Sequence, residues 1–512
     1  MILILNFGGQ YCHLIARRIR DLGVYAEIVP FDITPERILQ LQPDGIILSG
    51  GPASVYERNA PTINEQLFSL SLPLLGICYG MQVIGSHIGA RVSSGNVKEF
   101  GNTSVQIVPR SKLLQGLNSA EQVWMSHSDI VTRVPKGFRC TASSKNCPIA
   151  AFENNTALLY AIQFHAEVTN TPQGIRILKN FIFNICHAKK TWRIENRIDS
   201  LMQEIKRTVG NDSVIMGVSG GVDSTVAATL IHKAIGNRLY CVFVDHGLLR
   251  LGEVKEVQSV YTRRLKFKQF SIVNASKHFM DKLRGVTDPE EKRRRIGHTF
   301  IEVFEREVRR LERKHPRISI LGQGTIYPDR IESAQPSIHA AKIKSHHNLT
   351  LPETMKLRLV EPIKDFYKDE VRAIGRTLKI PSTLLERHPF PGPGLAIRIL
   401  GEVTPARIKL LQHVDAIFIK ELRQHGLYDK VWQAFAALLP VKAVGVMGDQ
   451  RTYDYIISLR AVTSIDAMTA DWARLPAEFL GLVSNRIINE VKGVNRVLYD
   501  ISQKPPSTIE YE

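Results

Sequence analysis

Short apolar runs, each ending in a turn of small residues, alternate with helical stretches along almost the whole chain. Runs of this kind occupy residues 46–48, 74–77 and 214–218, and further strand candidates lie at 239–244 and 318–321. Strands that alternate with helices are typical of parallel sheets whose faces are covered by the helices. The pattern therefore predicts an α/β protein.

Two breaks in this pattern divide the chain into three predicted units, 1–190, 191–387 and 388–512. A charged helical stretch at 189–207 connects the first two, and the proline-rich string 388–394 suits neither a helix nor a central strand. A chain of 512 residues is long enough for about three domains. We expect two doubly wound parallel-sheet domains followed by a smaller α+β domain.

Composition narrows the class of protein. The chain is 44% hydrophobic and 23% charged, which is ordinary for a globular protein, and no segment approaches the ~20 apolar residues that span a bilayer. Its N-terminus lacks the basic region of a signal peptide. Six cysteines without a CxxC pair argue against a disulfide framework or a zinc site. We expect a cytoplasmic protein in a reducing compartment.

The formal net charge of +18 suggests a polyanionic partner, and nucleic acid is the obvious one. The basic runs at 292–295 and 306–314, however, lie in predicted helices where Glu305, Glu307 and Glu312 interleave. Mixed-sign faces of this kind are usually solvated helix surfaces. Both interpretations stay open, and a substrate with several phosphates would account for part of the charge.

One turn carries a pattern suited to phosphate. It comprises Ser219, Gly220, Gly221, Val222, Asp223, Ser224 and Thr225. It follows an apolar strand and opens a helix, so glycine backbone and free helical N–H groups can face an anion. A Gly/Ser turn before a helix can also be purely structural, and the turn lacks the Gly-Lys-Ser/Thr ending of a Walker A loop. Asp223 is a candidate metal ligand, or equally a residue that stabilises the turn.

The string 219–225 resembles the PP-loop of ATP pyrophosphatases, which cleave ATP into AMP and pyrophosphate to activate a carbonyl oxygen. That resemblance implies adenylylation, with Mg²⁺ accompanying ATP, rather than the chemistry of a kinase.

A second turn, residues 76–80, places Cys78 between glycines at a strand-to-helix junction. Such a turn can expose a nucleophile, and a helix N-terminus favours the thiolate. His165 and Glu167 are two residues apart on an extended segment, so both side chains point to one face. Glu167 could then orient His165 while His165 accepts the Cys78 proton. A structural turn and an unrelated histidine are the plain alternative.

Residues 76–80 and the His-x-Glu pair resemble class I glutamine amidotransferases, and residues 49–52 resemble the oxyanion loop of that family. The resemblance implies a Cys78–His165–Glu167 triad that hydrolyses glutamine through a thioester, with the backbone of Gly51 and Tyr79 facing the oxyanion. Two departures leave its rate and control open. Residues 6–11 read Asn-Phe-Gly-Gly-Gln-Tyr rather than Asp-Phe-Gly-Ser-Gln-Tyr, and Ala166 replaces a proline.

The remaining segments resemble the GMP synthetase family over essentially the whole chain, notably at 244–250, 321–329, 343–348, 387–396 and 504–510. The resemblance implies glutamine, ATP and XMP as substrates and a homodimer formed by the third unit. No membrane is implied, and no nucleic acid is required.

The same resemblance assigns individual positions. It implies ATP contacts at Val244, Gly322 and Gln323. Lid and adenylylation roles fall on Lys344, His346, His347, Lys364 and Asp365. XMP contacts fall on Arg293, Gln433, Arg496, Lys504, Ile509 and Glu510.

The lid departs from the family at residues 348–352, which are shorter and lack a Gly-Gly pair. Glycine frees a hinge, so we expect a stiffer lid and an altered dependence of ammonia coupling on ATP and XMP. Equal glutaminase rates with and without both nucleotides, before and after Gly-Gly is restored, would contradict this.

Two alternatives compete with this reading. A PP-loop tRNA-modifying enzyme would use paired or exposed cysteines near the loop, whereas the next cysteine, Cys241, lies in an apolar strand. A nucleic-acid-binding protein with a degenerate active site would not be expected to keep Cys78, His165, Glu167 and 219–225 intact.

Overall fold

The computed structural model describes residues 1–315, 317–334, 357–447, 449–464 and 469–512. The chain forms two compact units, the first built from residues 1–193 and the second beginning at Ile194. Among the described residues, no helix has both the length and the apolar character needed to cross a membrane.

The first unit contains a nine-stranded sheet and four α-helices. Its strands are β1 Ile2–Asn6, β2 Ala26–Pro30, β3 Gly45–Leu48, β4 Leu74–Ile77, β5 Arg91–Ile107, β6 Ala120–Arg133, β7 Arg139–Ser143, β8 Ala151–Asn154 and β9 Leu159–Ile162. Its helices are α1 Cys12–Asp21, α2 Pro35–Leu41, α3 Tyr79–His87 and α4 Gly174–Lys179, with a 3₁₀ turn at Glu65–Ser69 and a π turn at Asn180–Ile185.

Strand order in this sheet is β2-β1-β3-β4-β9-β8-β7-β5-β6. The strands from β2 to β9 are parallel, and all of them except the edge strand β2 are fully buried, as the short apolar runs predict. The strands from β9 to β6 pair antiparallel, which the sequence pattern did not predict. Buried and more exposed positions alternate along much of β6, as in a strand with one face on the core.

The second unit contains a parallel sheet with the order β12-β11-β10-β13-β14. Its strands are β10 Ser213–Gly217, β11 Leu239–Asp245, β12 Phe270–Asn274, β13 Ile318–Gly322 and β14 Arg358–Val360. The accompanying helices are α5 Ile194–Val209, α6 Val222–Ile235, α7 Glu253–Ser259, α8 Ser276–Leu283, α9 Pro289–Lys314, α10 Tyr327–Ala334, α11 Lys368–Thr377 and α12 Ser382–Leu385.

The C-terminal part of this unit has a smaller mixed sheet in which β16 pairs antiparallel with β15 and β17 and parallel with β18. Its elements are α13 Pro405–Gln424, β15 Gln433–Met447, β16 Gln450–Thr463, β17 Asp471–Trp472, α14 Ala477–Glu490 and β18 Val494–Tyr499. The α/β class with a smaller α+β part is confirmed. One hydrophobic core joins both parts of the unit, and it includes Ile215, Phe304, Phe418 and Val483.

Helix α9 contains both basic runs that the sequence analysis singled out, 292–295 and 306–314. Asp288 caps it by accepting a hydrogen bond from the Glu291 backbone, and Pro289 occupies its first turn. On its exposed face, Glu291 pairs with Arg294 and Arg295 in the i,i+3 and i,i+4 spacing. Part of the run 292–295 is therefore a mixed-sign solvated surface, although Lys292 in the same run is fully buried.

Candidate active sites

Cys78 lies on a strained turn between β4 and α3. Its φ of 53° and ψ of −108° are unfavourable for a residue with a side chain. The flanking glycines are required by packing, since a Cβ on Gly76 would lie 2.4 Å from the Gly80 carbonyl oxygen. A Cβ on Gly80 would lie 2.3 Å from the Leu48 carbonyl oxygen. The backbone therefore has the geometry of a nucleophile elbow.

His165 and Glu167 approach this turn from the segment after β9. His165 Nδ1 lies 2.7 Å from Glu167 Oε1, and both side chains are buried. A Cβ on Gly50 would lie 3.1 Å from His165 Cε1 and 3.6 Å from Cys78 Cβ, so the imidazole and the thiol lie beside the same glycine. The structure thus brings all three predicted triad residues together.

Charges around His165 favour its protonated form. Burial alone would lower the pKa of His165, but the Glu167 carboxylate and a hydrogen bond with the Cys78 sulfur raise this pKa well above its usual value. The backbone of His165 is held by the Trp124 carbonyl, 3.0 Å away, and by the Thr171 hydroxyl, which donates to the His165 carbonyl at 2.6 Å. The backbone of His165 is therefore held at both its N–H and its carbonyl.

The predicted oxyanion groups lie next to the same turn. Tyr79 is the first residue of α3, so its backbone N–H has no acceptor within the helix. Gly51 packs against it, because a Cβ there would lie 3.3 Å from Tyr79 Cδ1 and 2.7 Å from the Phe7 carbonyl oxygen.

Gly9, one of the sequence departures, donates its N–H to the Gly50 carbonyl at 3.1 Å. A Cβ on Gly9 would lie 2.3 Å from that oxygen, so a serine would require the oxyanion loop to move.

Residues 219–225 form a cradle at the start of α6. Gly220 has a φ of +73°, and Ser219 Oγ accepts the Gly221 N–H at 3.3 Å. Thr225 Oγ1 donates to the Gly221 carbonyl at 2.7 Å. Since the first N–H groups of a helix lack internal acceptors, the loop presents donors where an anion could bind.

The predicted ATP contacts converge on this cradle. Val244 lies at the carboxyl end of β11, while Gly322 and Gln323 lie at and just beyond the end of β13, and both strands are neighbours of β10. Gly324 packs against the helix start, since a Cβ there would lie 3.0 Å from the Ser224 nitrogen. This is the edge of a parallel sheet at which nucleotides bind.

Two predicted charged residues near the cradle already have partners. Lys368 Nζ lies 3.1 Å from Asp223 Oδ2, whereas Asp223 Oδ1 is buried and has no hydrogen-bond partner in the described parts of the chain. Asp365 pairs with Arg330, and Lys364 lies beside it between β14 and α11. The lid positions Lys344, His346 and His347, and the departure at 348–352, lie outside the described residues.

The predicted XMP residues are only partly brought together. Gln433 Nε2 donates to Glu510 Oε1 at 2.6 Å, and Ile509 is buried in the same region. Arg293 donates to the Glu512 backbone carbonyl. By contrast, Arg496 is exposed on β18, and Lys504 pairs through its backbone with Ala470.

Three relatives match over the whole chain. GMP synthases [glutamine-hydrolyzing] from Aquifex aeolicus, Brachyspira hyodysenteriae and Carboxydothermus hydrogenoformans are 53%, 51% and 52% identical, and each match covers 100% of this chain and 99% of the relative. The chain belongs to the glutamine-hydrolysing GMP synthase family. The resemblance inferred from the motifs is thus confirmed.

Family descriptions divide the chain in the same order as the motifs. Class-I glutamine amidotransferase matches residues 3–185, NAD synthase matches 193–294, and the GMP synthase C-terminal domain matches 420–511. The chain is therefore an enzyme with GMP synthase function, built from amidotransferase and ATP pyrophosphatase domains. Its full-length relatives favour this over a tRNA-modifying enzyme.

Sequence reasoning missed the buried cations that hold the C-terminal tail. Arg398 donates to both Glu510 carboxylate oxygens at 2.8 and 2.9 Å, and Lys292 pairs with Glu512. Arg460 donates to the Ile509 carbonyl at 2.8 Å. A signal for Arg398 existed, because it is the one charge in the apolar run 395–400.

Proposed function

We propose that this chain makes GMP from XMP by two coupled reactions, glutamine hydrolysis at Cys78 and adenylylation of XMP at the 219–225 cradle. The observation that carries the proposal is the Cys78–His165–Glu167 arrangement in a chain that also has a PP-loop at a helix N-terminus. The triad would supply the nitrogen as ammonia, and the PP-loop site would activate XMP to receive it.

At the first site, Cys78 attacks the side-chain carbonyl of glutamine. Its thiol proton has already passed to His165, which Glu167 keeps protonated. The negative charge on the carbonyl oxygen faces the N–H groups of Gly51 and Tyr79, and His165 gives its proton to the departing ammonia. Water then hydrolyses the thioester and releases glutamate. Glu167 holds the imidazole and stabilises its charge throughout.

At the second site, the 2-oxo oxygen of XMP attacks the α-phosphorus of ATP, and pyrophosphate leaves from the 219–225 cradle. Lys364, together with Lys344 from the lid, stabilises the charge that builds in this step. Ammonia then replaces AMP at the activated carbon and gives GMP.

The residues of the 219–225 cradle are suited to hold the Mg²⁺ that accompanies ATP. Asp223 Oδ1 is a buried oxygen without a hydrogen-bond partner among the described residues, which suits an oxygen-preferring cation, although Lys368 holds the other oxygen. Mg²⁺ bound there would neutralise phosphate charge.

The proposed oligomer is a homodimer through the C-terminal domain. Four exposed apolar residues lie on the β15–β16 hairpin of that domain, Val441, Val444, Val446 and Tyr453, and exposed apolar patches often mark interfaces. Sedimentation as a monomer would contradict this assignment. A cytoplasmic location and independence from nucleic acid stay predictions.

The products test the function directly. Purified enzyme with XMP, ATP, Mg²⁺ and glutamine is expected to yield GMP, glutamate, AMP and pyrophosphate in equal amounts, because the α-phosphorus is the point of attack. Ion-exchange chromatography separates these nucleotides. Formation of ADP and phosphate instead would contradict the proposal.

Replacing Glu167 by glutamine is expected to lower glutaminase activity about 10²- to 10⁴-fold, the range for a positioned proton-transfer system. The substitution removes the carboxylate that raises the pKa of His165. The imidazolium is then lost at lower pH, so the alkaline limb of the pH–rate profile should move to lower pH.

The raised pKa of His165 also makes the stability of the fold depend on pH. The raised pKa of His165 stabilises the fold fully below about pH 6.5, the usual histidine value, and this contribution is lost as pH rises through the folded-state pKa. Glu167→Gln should weaken that pH dependence, whereas Glu167→Asp, which keeps the charge, should retain more of it. Unchanged profiles in Glu167→Gln would count against the assigned role.

A further inference from the structure

Three buried metal-ligand side chains from separate segments meet in the first unit. Glu99 lies on β5, His127 lies opposite it on β6, and Cys147 lies in the loop between β7 and β8. Their ligand atoms all lie within 4.8 Å of one another, and all three residues are buried. None of them belongs to the triad or to the oxyanion loop.

The imidazole of His127 is oriented as in metal sites. Its Nδ1 lies 3.1 Å from the Asp129 carbonyl oxygen, which can only accept, so Nδ1 carries the proton. Metal-bound histidines characteristically donate their second nitrogen to a carbonyl or carboxylate in this way. His127 Nε2, in turn, is buried and has no hydrogen-bond partner among the described residues.

Glu99 faces that nitrogen directly. Its Oε2 lies 3.3 Å from His127 Nε2. In the neutral imidazole both atoms carry lone pairs, and two buried acceptors in contact are unfavourable unless a proton or a metal ion lies between them.

A tight turn positions the thiol beside this pair. The Ser144 N–H donates to the Cys147 carbonyl at 2.8 Å, and the Cys147 N–H donates to Ser144 Oγ at 2.9 Å. The Ser144 hydroxyl also lies 2.9 Å from Glu99 Oε1. One serine therefore ties the carboxylate to the loop that carries the thiol.

We propose that Glu99, His127 and Cys147 bind a zinc ion through Oε2, Nε2 and Sγ, with water as the fourth ligand. Nitrogen and oxygen ligands 2.0–2.1 Å from a tetrahedral zinc are about 3.3–3.4 Å apart, which matches the spacing of His127 and Glu99. The sulfur must move inward, and binding releases the Cys147 thiol proton to solvent. A thiolate, imidazole and carboxylate set suits zinc rather than magnesium or calcium.

This site includes a residue of the strand that contacts the glutaminase nucleophile. The Cys78 Sγ donates to the Ser126 carbonyl at 3.6 Å, and Ser126 precedes His127 on β6. Zinc bound by His127 would therefore anchor the strand whose Ser126 carbonyl contacts Cys78. The absence of a CxxC spacing argued against zinc, but ligands from three separate segments leave no such signature.

Metal content tests the proposal. The full chain is prepared as Cys78→Ala, because Cys78 and His165 form a second thiol–imidazole pair that could bind zinc. After equilibration with zinc and desalting, mass spectrometry is expected to find about one zinc per chain, falling at least tenfold on addition of Cys147→Ala. Cys140→Ala is the matched control, since Cys140 is a thiol on β7 outside the cluster, and it should keep the metal.

Cobalt(II) gives a second readout that does not depend on folding of the Cys147 variant. The Cys78→Ala protein with cobalt should show thiolate-to-cobalt absorption and the intense visible bands of tetrahedral coordination, and Cys140→Ala should not change them. Less than a tenth of a zinc per chain, equal zinc in the Cys147 and Cys140 variants, or no thiolate-to-cobalt band would each overturn the proposal.

Discussion

Replacing Cys78 by alanine is expected to abolish glutamine-dependent GMP formation while leaving ammonium-dependent formation in place. Alanine has no atom that can attack the glutamine carbonyl, so the thioester cannot form. Loss of a covalent nucleophile costs on the order of 10⁴-fold or more in other enzymes. Free ammonia bypasses this step, because in the proposed scheme ammonia is the species that reacts with the activated XMP.

The measurement is GMP formed from XMP and ATP with either glutamine or an ammonium salt. Cys186→Ala is the matched control, since Cys186 is another buried thiol of the same unit and burial raises its pKa far above the usual value. This control should keep both activities. Loss of both in a folded Cys78→Ala protein, or full glutamine activity, would contradict the two-site scheme.

Replacing Arg398 by methionine is expected to destabilise the protein and to raise the KM for XMP. The Arg398 side chain is fully buried, makes two hydrogen bonds to Glu510, and lies 4.2 Å from the centroid of the Phe435 ring. Its loss leaves the Glu510 carboxylate without its cation.

Breaking a buried ion pair typically costs about 3–5 kcal/mol, and we expect the lower end because the Glu510 side chain stays 17% exposed. Urea unfolding gives the free-energy change. The KM should rise because Arg398 holds the tail that carries Ile509 and Glu510, two of the proposed XMP residues.

A double variant separates the cost of an unpaired Glu510 charge from the cost of losing the Arg398 side chain itself. Arg398→Met combined with Glu510→Gln removes both charges, so it should recover part of the lost stability. Arg294→Met is the exposed control, because Arg294 also makes two hydrogen bonds to one carboxylate, that of Glu291, but in solvent. Surface pairs contribute little, so its urea midpoint should hardly change. A single variant as stable as the wild type would contradict the assigned role of the pair.

Local sequence patterns predicted the secondary structure well. Glycine-flanked turns after apolar runs, as at Cys78 and at 219–225, specify strand, turn and helix within a dozen residues, and the structure has them at those positions. The parallel strands were also predictable, because each is a short apolar run next to a helical stretch. The antiparallel strands from β5 to β8 were missed, because an alternating strand does not by itself state which neighbour it joins.

The sequence by itself therefore determined the α/β class, the thiol turn with its His-x-Glu partner, and the cradle before α6. Each is encoded by neighbouring residues or by a motif. Only the tertiary structure decided that Arg398 pairs with Glu510, that Asp223 contacts Lys368, and that Glu99, His127 and Cys147 converge. Those contacts join residues far apart in the chain. A buried charge leaves no local sequence pattern, because its energetic cost depends on which partner the fold places next to it.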